Sequence, residues 1–385
     1  MVGPWPDVAT ARLFFRAVGT ADGGRNAADT AVSPPARLLP RPNLANWLAA
    51  HELAPLAYHH CQDTDPALAE ALRSDWYNAT ALYTLHGVNQ QQLLQAFIAA
   101  DLDCVLLKGS ALALTVYGNG RLRPMSDVDI WIRAADIERA VSIMDEAGFF
   151  QNEKTERPRQ LQELAQGEIA FYRRDWRRGL VELHWSPFSG WWLQRVTQID
   201  LAALWQRTEP LPQWGVHVRQ LSPEDMALHL AVHIAVNHAF QSGMMRALMD
   251  IALTVLGRGV DWQVVVERAK QWRVATAVYT VLSLLEQLIG VSGVETALAA
   301  LQPSPLRRRL ISRFVPPQWV LAGDAARSNR RRYLLLLLLV DRPRDMLYLI
   351  YRTLWPEAAW MQARYGAKPI SRWRHLWLAL RYGQV

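Results

Sequence analysis

The apolar positions of this 385-residue chain change period along its length. Between residues 43 and 101, Leu68, Leu72, Trp76, Leu82, Leu85, Leu93, Leu94, Phe97 and Ile98 fall at helical spacings. Asp65-Pro66 supplies a helix start, a capping side chain followed by proline at the first position. The period then shortens. Residues 104–107 (Cys-Val-Leu-Leu) read as a short buried strand, followed by a tight Lys108-Gly109-Ser110 turn, a helix over about 111–117 and a loop over 118–126. Residues 128–132 alternate as a second strand, and a helix over about 135–147 follows, with Asp136 in its first turn and Gly148 as its stop. Two further strands are predicted at 169–173 and 180–185, joined by a turn at 174–179.

From about residue 189 the sheet signals fade and helices take over. Ser222-Pro223-Glu224-Asp225 opens a helix running through His238, and helical spacing continues over 262–288. Residues 1–18 read as a short helix, and the Gly, Ala, Ser and Pro of 19–42 as a mobile linker. The expectation is an α+β chain in four parts: an N-terminal segment with linker (1–42), a helical layer (43–101), a small mixed sheet with helices (102–188) and a mainly helical C-terminal region (189–385).

Composition adds limits. With 51% hydrophobic and 20% charged residues, the chain has the make-up of an ordinary folded protein. A net charge of +7 favours an anionic partner, whether nucleotide, nucleic acid or membrane surface, without choosing among them. Cys61 and Cys104 are the only cysteines, which leaves no disulfide framework and no cysteine-based zinc site, and fits a reducing cytoplasm. The longest apolar run, 334–340, is far shorter than the roughly 20 residues that cross a bilayer, so no transmembrane segment is expected. The 17 Trp recur beside Leu and Arg and read mostly as core or groove-lining residues. The basic C-terminal stretch is open to a membrane surface, RNA or the rest of the protein as its partner; Trp373, Leu376, Trp377 and Leu380 recur at helical spacing, so docking on the protein's own body is the first expectation.

The candidate chemistry lies at 104–132. Side chains alternate across a strand, so Asp127 and Asp129 point the same way, with Trp131, while Val128, Ile130 and Ile132 face the core. Two adjacent carboxylates stay ionised when a cation lies between them, and a hard divalent ion with oxygen ligands fits that need. Upstream, Gly109 and Ser110 form a turn of the kind that lets backbone N–H groups and a hydroxyl approach phosphate. Glu182 and His184 share one face of their strand, and Glu182 becomes a third carboxylate if that strand lies beside the Asp127 strand. A phosphate cradle followed by a metal-binding Asp-x-Asp strand points to transfer chemistry on a nucleoside triphosphate.

Lys108-Gly109-Ser110 followed by Asp127-Val128-Asp129 resembles the signature of the DNA polymerase β-like nucleotidyltransferase superfamily. More narrowly, the chain is similar to a bacterial family of uncharacterised nucleotidyltransferases. The resemblance is carried by Leu107-Lys108-Gly109, Tyr117, Arg121 to Arg123, Asp127-Val128-Asp129 and Glu182-Leu183-His184-Trp185, and continues in Leu221 to Asp225 and Arg246 to Asp250. The 16 residues between Ser110 and Asp127 exceed the superfamily's usual spacing. The resemblance implies a polymerase-β-like sheet embedded in helical regions and transfer of a nucleoside monophosphate with release of pyrophosphate. Asp127, Asp129 and Glu182 would be the catalytic and metal-holding acids for Mg²⁺, or Mn²⁺ in its place. Lys108, Gly109, Ser110, Arg121, Arg123, Arg246 and Asp250 would border the nucleotide, with ATP the first candidate donor. The implied acceptor is a small molecule, peptide or protein; nucleic acid is not favoured.

Other readings have their own signatures. A nucleotide-binding or partner-binding protein that kept the fold but lost turnover is the alternative, and the complete set of acids argues against it. A glycosyltransferase using Asp-x-Asp would leave the Gly-Ser turn without a role, and about a hundred mostly helical residues precede the first strand here. His229 and His233 are spaced as on a zinc helix, but Leu230 stands where the general-base glutamate of that motif belongs. Arg246 and Asp250, four apart, also suit a simple ion pair along one helix.

Overall fold

The computed structural model describes residues 41–151, 164, 167–173, 180–188, 190–241, 243–322, 328–366 and 368–382. The expected helix at 1–18, nearly all of the expected linker and the expected turn at 174–179 lie outside the described residues.

The N-terminal layer consists of α1 (Arg41–Ala50), α2 (Ala54–Cys61) and α3 (Pro66–Ala99). Asp65 caps α3 by accepting the Leu68 N–H at 3.1 Å, and Pro66 sits where no intrahelical donor is needed. Its 34 residues extend over roughly 50 Å. The buried stripe Leu68, Leu72, Leu93, Leu94 and Phe97 joins the same core as the sheet.

The first part of the sheet follows: β1 (Cys104–Leu106), α4 (Lys108–Thr115), β2 (Asp127–Trp131), α5 (Ile137–Glu146), β3 (Phe149–Gln151), β4 (Glu168–Arg173) and β5 (Leu180–His184). Short helices α6 (Trp191–Val196) and α7 (Leu201–Gln206) lead to β6 (Glu209–Leu211) and β7 (Gly215–Gln220). The strands form one mixed sheet in the order β3-β4-β5-β2-β1-β7-β6. The sheet therefore extends past residue 189, where only helices were expected: β7 runs parallel to β1 and covers its outer edge. All three residues of β1 are buried, as a central strand requires.

Two further boundaries differ from expectation. Residues 108–110 are the first turn of α4 and not a separate turn before it: the Ser110 and Ala111 N–H groups both donate to Leu107 O, at 3.1 and 3.4 Å. Lys108 adopts a left-handed φ of 44°, which turns the chain sharply from β1 into the helix.

The C-terminal region is helical: α8 (Pro223–Val232), a π-helical segment (His233–Asn237), α9 (Met244–Arg258), α10 (Trp262–Gln271), α11 (Ala275–Leu288), α12 (Val294–Leu301), α13 (Pro305–Phe314), α14 (Pro317–Ala322), α15 (Asn329–Leu339), α16 (Pro343–Leu354), α17 (Ala358–Tyr365) and α18 (Arg372–Tyr382). Ser222 accepts the Asp225 N–H at 3.3 Å as the cap of α8. The helix expected to run through His238 changes to π geometry at His233, and Ala239 and Phe240 then take left-handed φ values of 47° and 59°.

Candidate active site

The acids meet because β2 and β5 are parallel neighbours with Asp129 opposite Glu182 and Trp131 opposite His184. Period two then sets all four side chains on one face. Ligand atoms of Asp129, Glu182 and His184 lie within 4.8 Å of one another, a spacing that one metal ion can span. Asp127 stands on the same face at the start of β2, opposite Leu180, and is not one of that close trio. His184 joins the acids although the motif resemblance does not name it as a site residue. Its signal was the same alternation that placed the acids.

Asp129 is 2% exposed and its Oδ1 is held twice, by Lys108 Nζ at 2.7 Å and by His184 Nε2 at 2.9 Å. The Ser110 hydroxyl accepts the Asp129 backbone N–H at 2.9 Å, tying the start of α4 to β2. Burial alone would raise the Asp129 carboxyl, but Lys108 and His184 outweigh it and hold it well below the usual range. Lys108 is likewise shifted up, the pull of Asp129, Glu182 and Asp127 exceeding the cost of burying its charge. Asp127 is pushed up by burial and then by Asp129. Glu182 is pushed up to about 8, first by burial and then by the charges of Asp129 and Glu168. Lys108 and other nearby cations lower both of these carboxyls, but not enough to offset burial and the neighbouring acids.

This arrangement has a pH signature. The folded protein without metal keeps a proton on Glu182 that the unfolded chain releases near the ordinary carboxylate value. Stability from this group is full in acid and declines as pH rises through the window between that value and about 8, by up to ~1.4 kcal/mol per pH unit. In metal-free denaturation series across this window, Glu182→Gln is expected to lose that slope relative to the wild type; parallel profiles would count against the raised carboxyl.

Gly109 has a steric reason in addition to any role at phosphate: a Cβ there would sit 2.0 Å from Arg123 Nη1 and 3.1 Å from Met125 Cγ. Arg123 is buried and bonds Asp250 with both ends of its guanidinium, Nε to Oδ1 at 2.9 Å and Nη2 to Oδ2 at 2.8 Å. The Tyr117 hydroxyl donates to the same Asp250 at 2.8 Å. Arg246 does not pair with Asp250 four residues on. It reaches Glu52 at 2.5 Å and Pro124 O at 3.1 Å, so the simple pair along one helix is not formed. Arg121 is exposed on the loop, its N–H donating to Asn119 Oδ1 at 3.1 Å. Trp131 packs edge-on against Trp205 at 4.8 Å and is 2% exposed, so it serves the core.

His229, His233 and His238 lie on the helical side, each feeling the Lys108 charge. Burial first, then Lys108, push His229 down to about 3 and His238 to about 4. His233 Nε2 is 2.8 Å from His238 Nε2, and His229 and His233 stack at 6.2 Å.

The model of a family described as "Uncharacterised nucleotidyltransferase" matches residues 41–290. Comparisons with curated proteins and with solved structures gave no match. The matched stretch contains the whole sheet, the acid cluster and the Arg123–Asp250 pair. On that match, covering well over half of its length, the chain belongs to the uncharacterised nucleotidyltransferase family.

Proposed function

We propose that the protein is a metal-dependent nucleotidyltransferase moving a nucleoside monophosphate, with ATP the first candidate donor, onto a small molecule, peptide or protein. The observation that carries this reading is the pairing of Asp129 with Glu182 across β2 and β5, beside the helix start that holds Lys108. The donor set is mostly carboxylate oxygen, which suits Mg²⁺ or Mn²⁺. Asp127, Asp129 and Glu182 would hold the ion, while Lys108 and His184 bond Oδ1 of Asp129. When bound, the ion would supply charge neutralisation on the phosphates.

The chain's own groups then have distinct tasks. The acceptor oxygen bonds to the α phosphorus, the bond from that phosphorus to the bridging oxygen breaks, and pyrophosphate leaves. Glu182, in its ionised form, would take the acceptor's proton. Ser110 keeps Asp129 in position through its backbone N–H, and Lys108 holds the first turn of α4 against the acid cluster. On this reading Arg121, Arg246 and the Arg123–Asp250 pair would border the nucleotide.

A second reading has its own support: Lys108 Nζ, 2.7 Å from Asp129, already supplies the positive charge that a metal would bring. Such a protein would bind nucleotides without turning them over. Incubation with each NTP and Mg²⁺ or Mn²⁺, alone and with cell extract, is expected to release pyrophosphate and to label an acceptor. Tight NTP binding with no release under any of these conditions would move the assignment to the second reading, and no binding at all would remove both.

A further inference from the structure

The last helix docks the wrong way round for an ordinary soluble surface. Its buried side is His375 and Ala379, with His375 Nε2 3.0 Å from Thr353 O and Nδ1 3.0 Å from the Tyr365 hydroxyl. The apolar stripe expected to dock instead faces out: Trp373 is 71%, Trp377 51% and Leu380 63% exposed. The adjoining α16 adds Leu347 at 63%, Tyr351 at 52% and Tyr348 at 40%. Trp355, at the end of α16, meets Trp373 edge-on at 5.3 Å, so the two stripes are continuous.

The charge of this face is one-sided. Residues 343–382 carry seven cations and two acids, Asp345 and Glu357. Both acids are already paired, Asp345 with Arg273 at 3.8 Å and Arg344 at 3.6 Å, and Glu357 with Arg195 at 2.7 Å and Arg352 at 3.3 Å, which leaves Lys368, Arg372 and Arg374 among the cations without an acid of this stretch beside them. The cations stand beside the rings: Arg372 lies over Trp355 at 5.5 Å, Arg381 over Trp377 at 4.8 Å and Arg352 over Tyr351 at 5.2 Å. Aromatic and aliphatic side chains fringed by guanidinium groups match the boundary of an anionic bilayer, where rings sit at headgroup depth and arginine meets phosphate. A large exposed patch of this kind is uncommon on a monomer without a partner surface.

We propose that α16 and α18 form a docking face for an anionic membrane surface, which holds the enzyme in the interface without any segment crossing the bilayer. No helix among the described residues is long and apolar enough to cross one. The proposal does not depend on the nucleotidyltransferase reading. It is tested by sedimenting the full chain with vesicles of equal parts phosphatidylglycerol and phosphatidylcholine, with phosphatidylcholine alone, and with single-stranded RNA, each at low and high salt. Binding to the anionic vesicles is expected, weakened by salt and lower on the neutral ones. Trp373→Ser and Trp377→Ser should each reduce it roughly tenfold, because each ring contributes its own apolar area. Arg374→Gln should reduce it less and lower the salt dependence. Both tryptophans are more than half exposed, so the melting transition should not move. Absence of vesicle binding, binding unchanged by the Trp variants, retention of RNA alone, or self-association of the chain without vesicle binding would each overturn it.

Discussion

Asp127→Asn and Glu182→Gln, made singly, are expected to lower pyrophosphate release by about 10³-fold, the effect of removing several kcal/mol of metal-assisted charge stabilisation from the transition state. Both side chains lie at the edge of the acid cluster, and neither is the main partner of the buried lysine. Their loss should leave folding nearly intact, and Glu182→Gln should gain stability above neutral pH because it removes a carboxyl that burial disfavours. Asp129→Asn is a poorer test of catalysis. It takes the counter-charge from Lys108, whose side chain is 14% exposed, and weakens the bond to His184. Breaking such a buried pair costs about 3–5 kcal/mol, so an inactive Asp129 variant could simply be unfolded. Steady-state pyrophosphate release, read with a melting curve for each variant, separates these cases. Wild-type turnover in either Asp127→Asn or Glu182→Gln would remove the acid cluster from the mechanism.

Asp250→Ala is expected to destabilise the protein by about 3–5 kcal/mol. The Arg123 and Asp250 side chains are 6% and 1% exposed, and the truncation strands a guanidinium in the interior. It also removes the acceptor of the buried Tyr117 hydroxyl. The loss comes from the orphaned charge and not from the worth of the pair, so Arg123→Met combined with Asp250→Leu should recover much of it. Urea denaturation of the two single variants and the double variant provides the comparison. A loss below about 1 kcal/mol for Asp250→Ala would mean that water reaches Arg123 after all. Because Arg123 lies against Gly109, the single variant should also loosen the loop over the first turn of α4 and weaken nucleotide binding in the folded fraction.

The two sites differ in how far they could be read from the chain. That Asp127 and Asp129 share a face follows from the pleat alone, and so does the pairing of Glu182 with His184 on one face. Both are local consequences of backbone geometry, and the structure keeps them. The strands at 169–173 and 180–185 and the helix at 135–147 were also legible, within a few residues, because alternation and capping are local. Strands β6 and β7 were not. They are short, Val216 is 68% exposed, and a bulge interrupts their pairing, so no clean period marks them. Their existence depends on the open edge of β1, which no local window contains.

The charged residues show the same division. Arg246 and Asp250 have the spacing of a helical pair, yet Asp250 takes Arg123, 127 positions away, and Arg246 takes Glu52. Helical spacing brings two side chains near each other, but Asp250 goes to the buried, bidentate Arg123 rather than to Arg246, whose side chain is 22% exposed. In α18 periodicity located the stripe of Trp373 and Trp377 but not which side would be covered, since His375 gains two hydrogen-bond partners only after α16 and α17 are in place.

By itself, then, the sequence determined the α+β class, strands β1, β2, β4 and β5 and the facing of each acid, because these follow from periods of two and of about three and a half; the three-residue β3 it did not mark. Tertiary structure alone decided that β5 lies beside β2 in register, that Lys108 and His184 converge on one oxygen of Asp129, that Arg123 covers Gly109 and that the last helix turns its tryptophans outward. Each of these is a contact between distant segments, chosen by what remains to be buried or neutralised after the rest of the chain has packed.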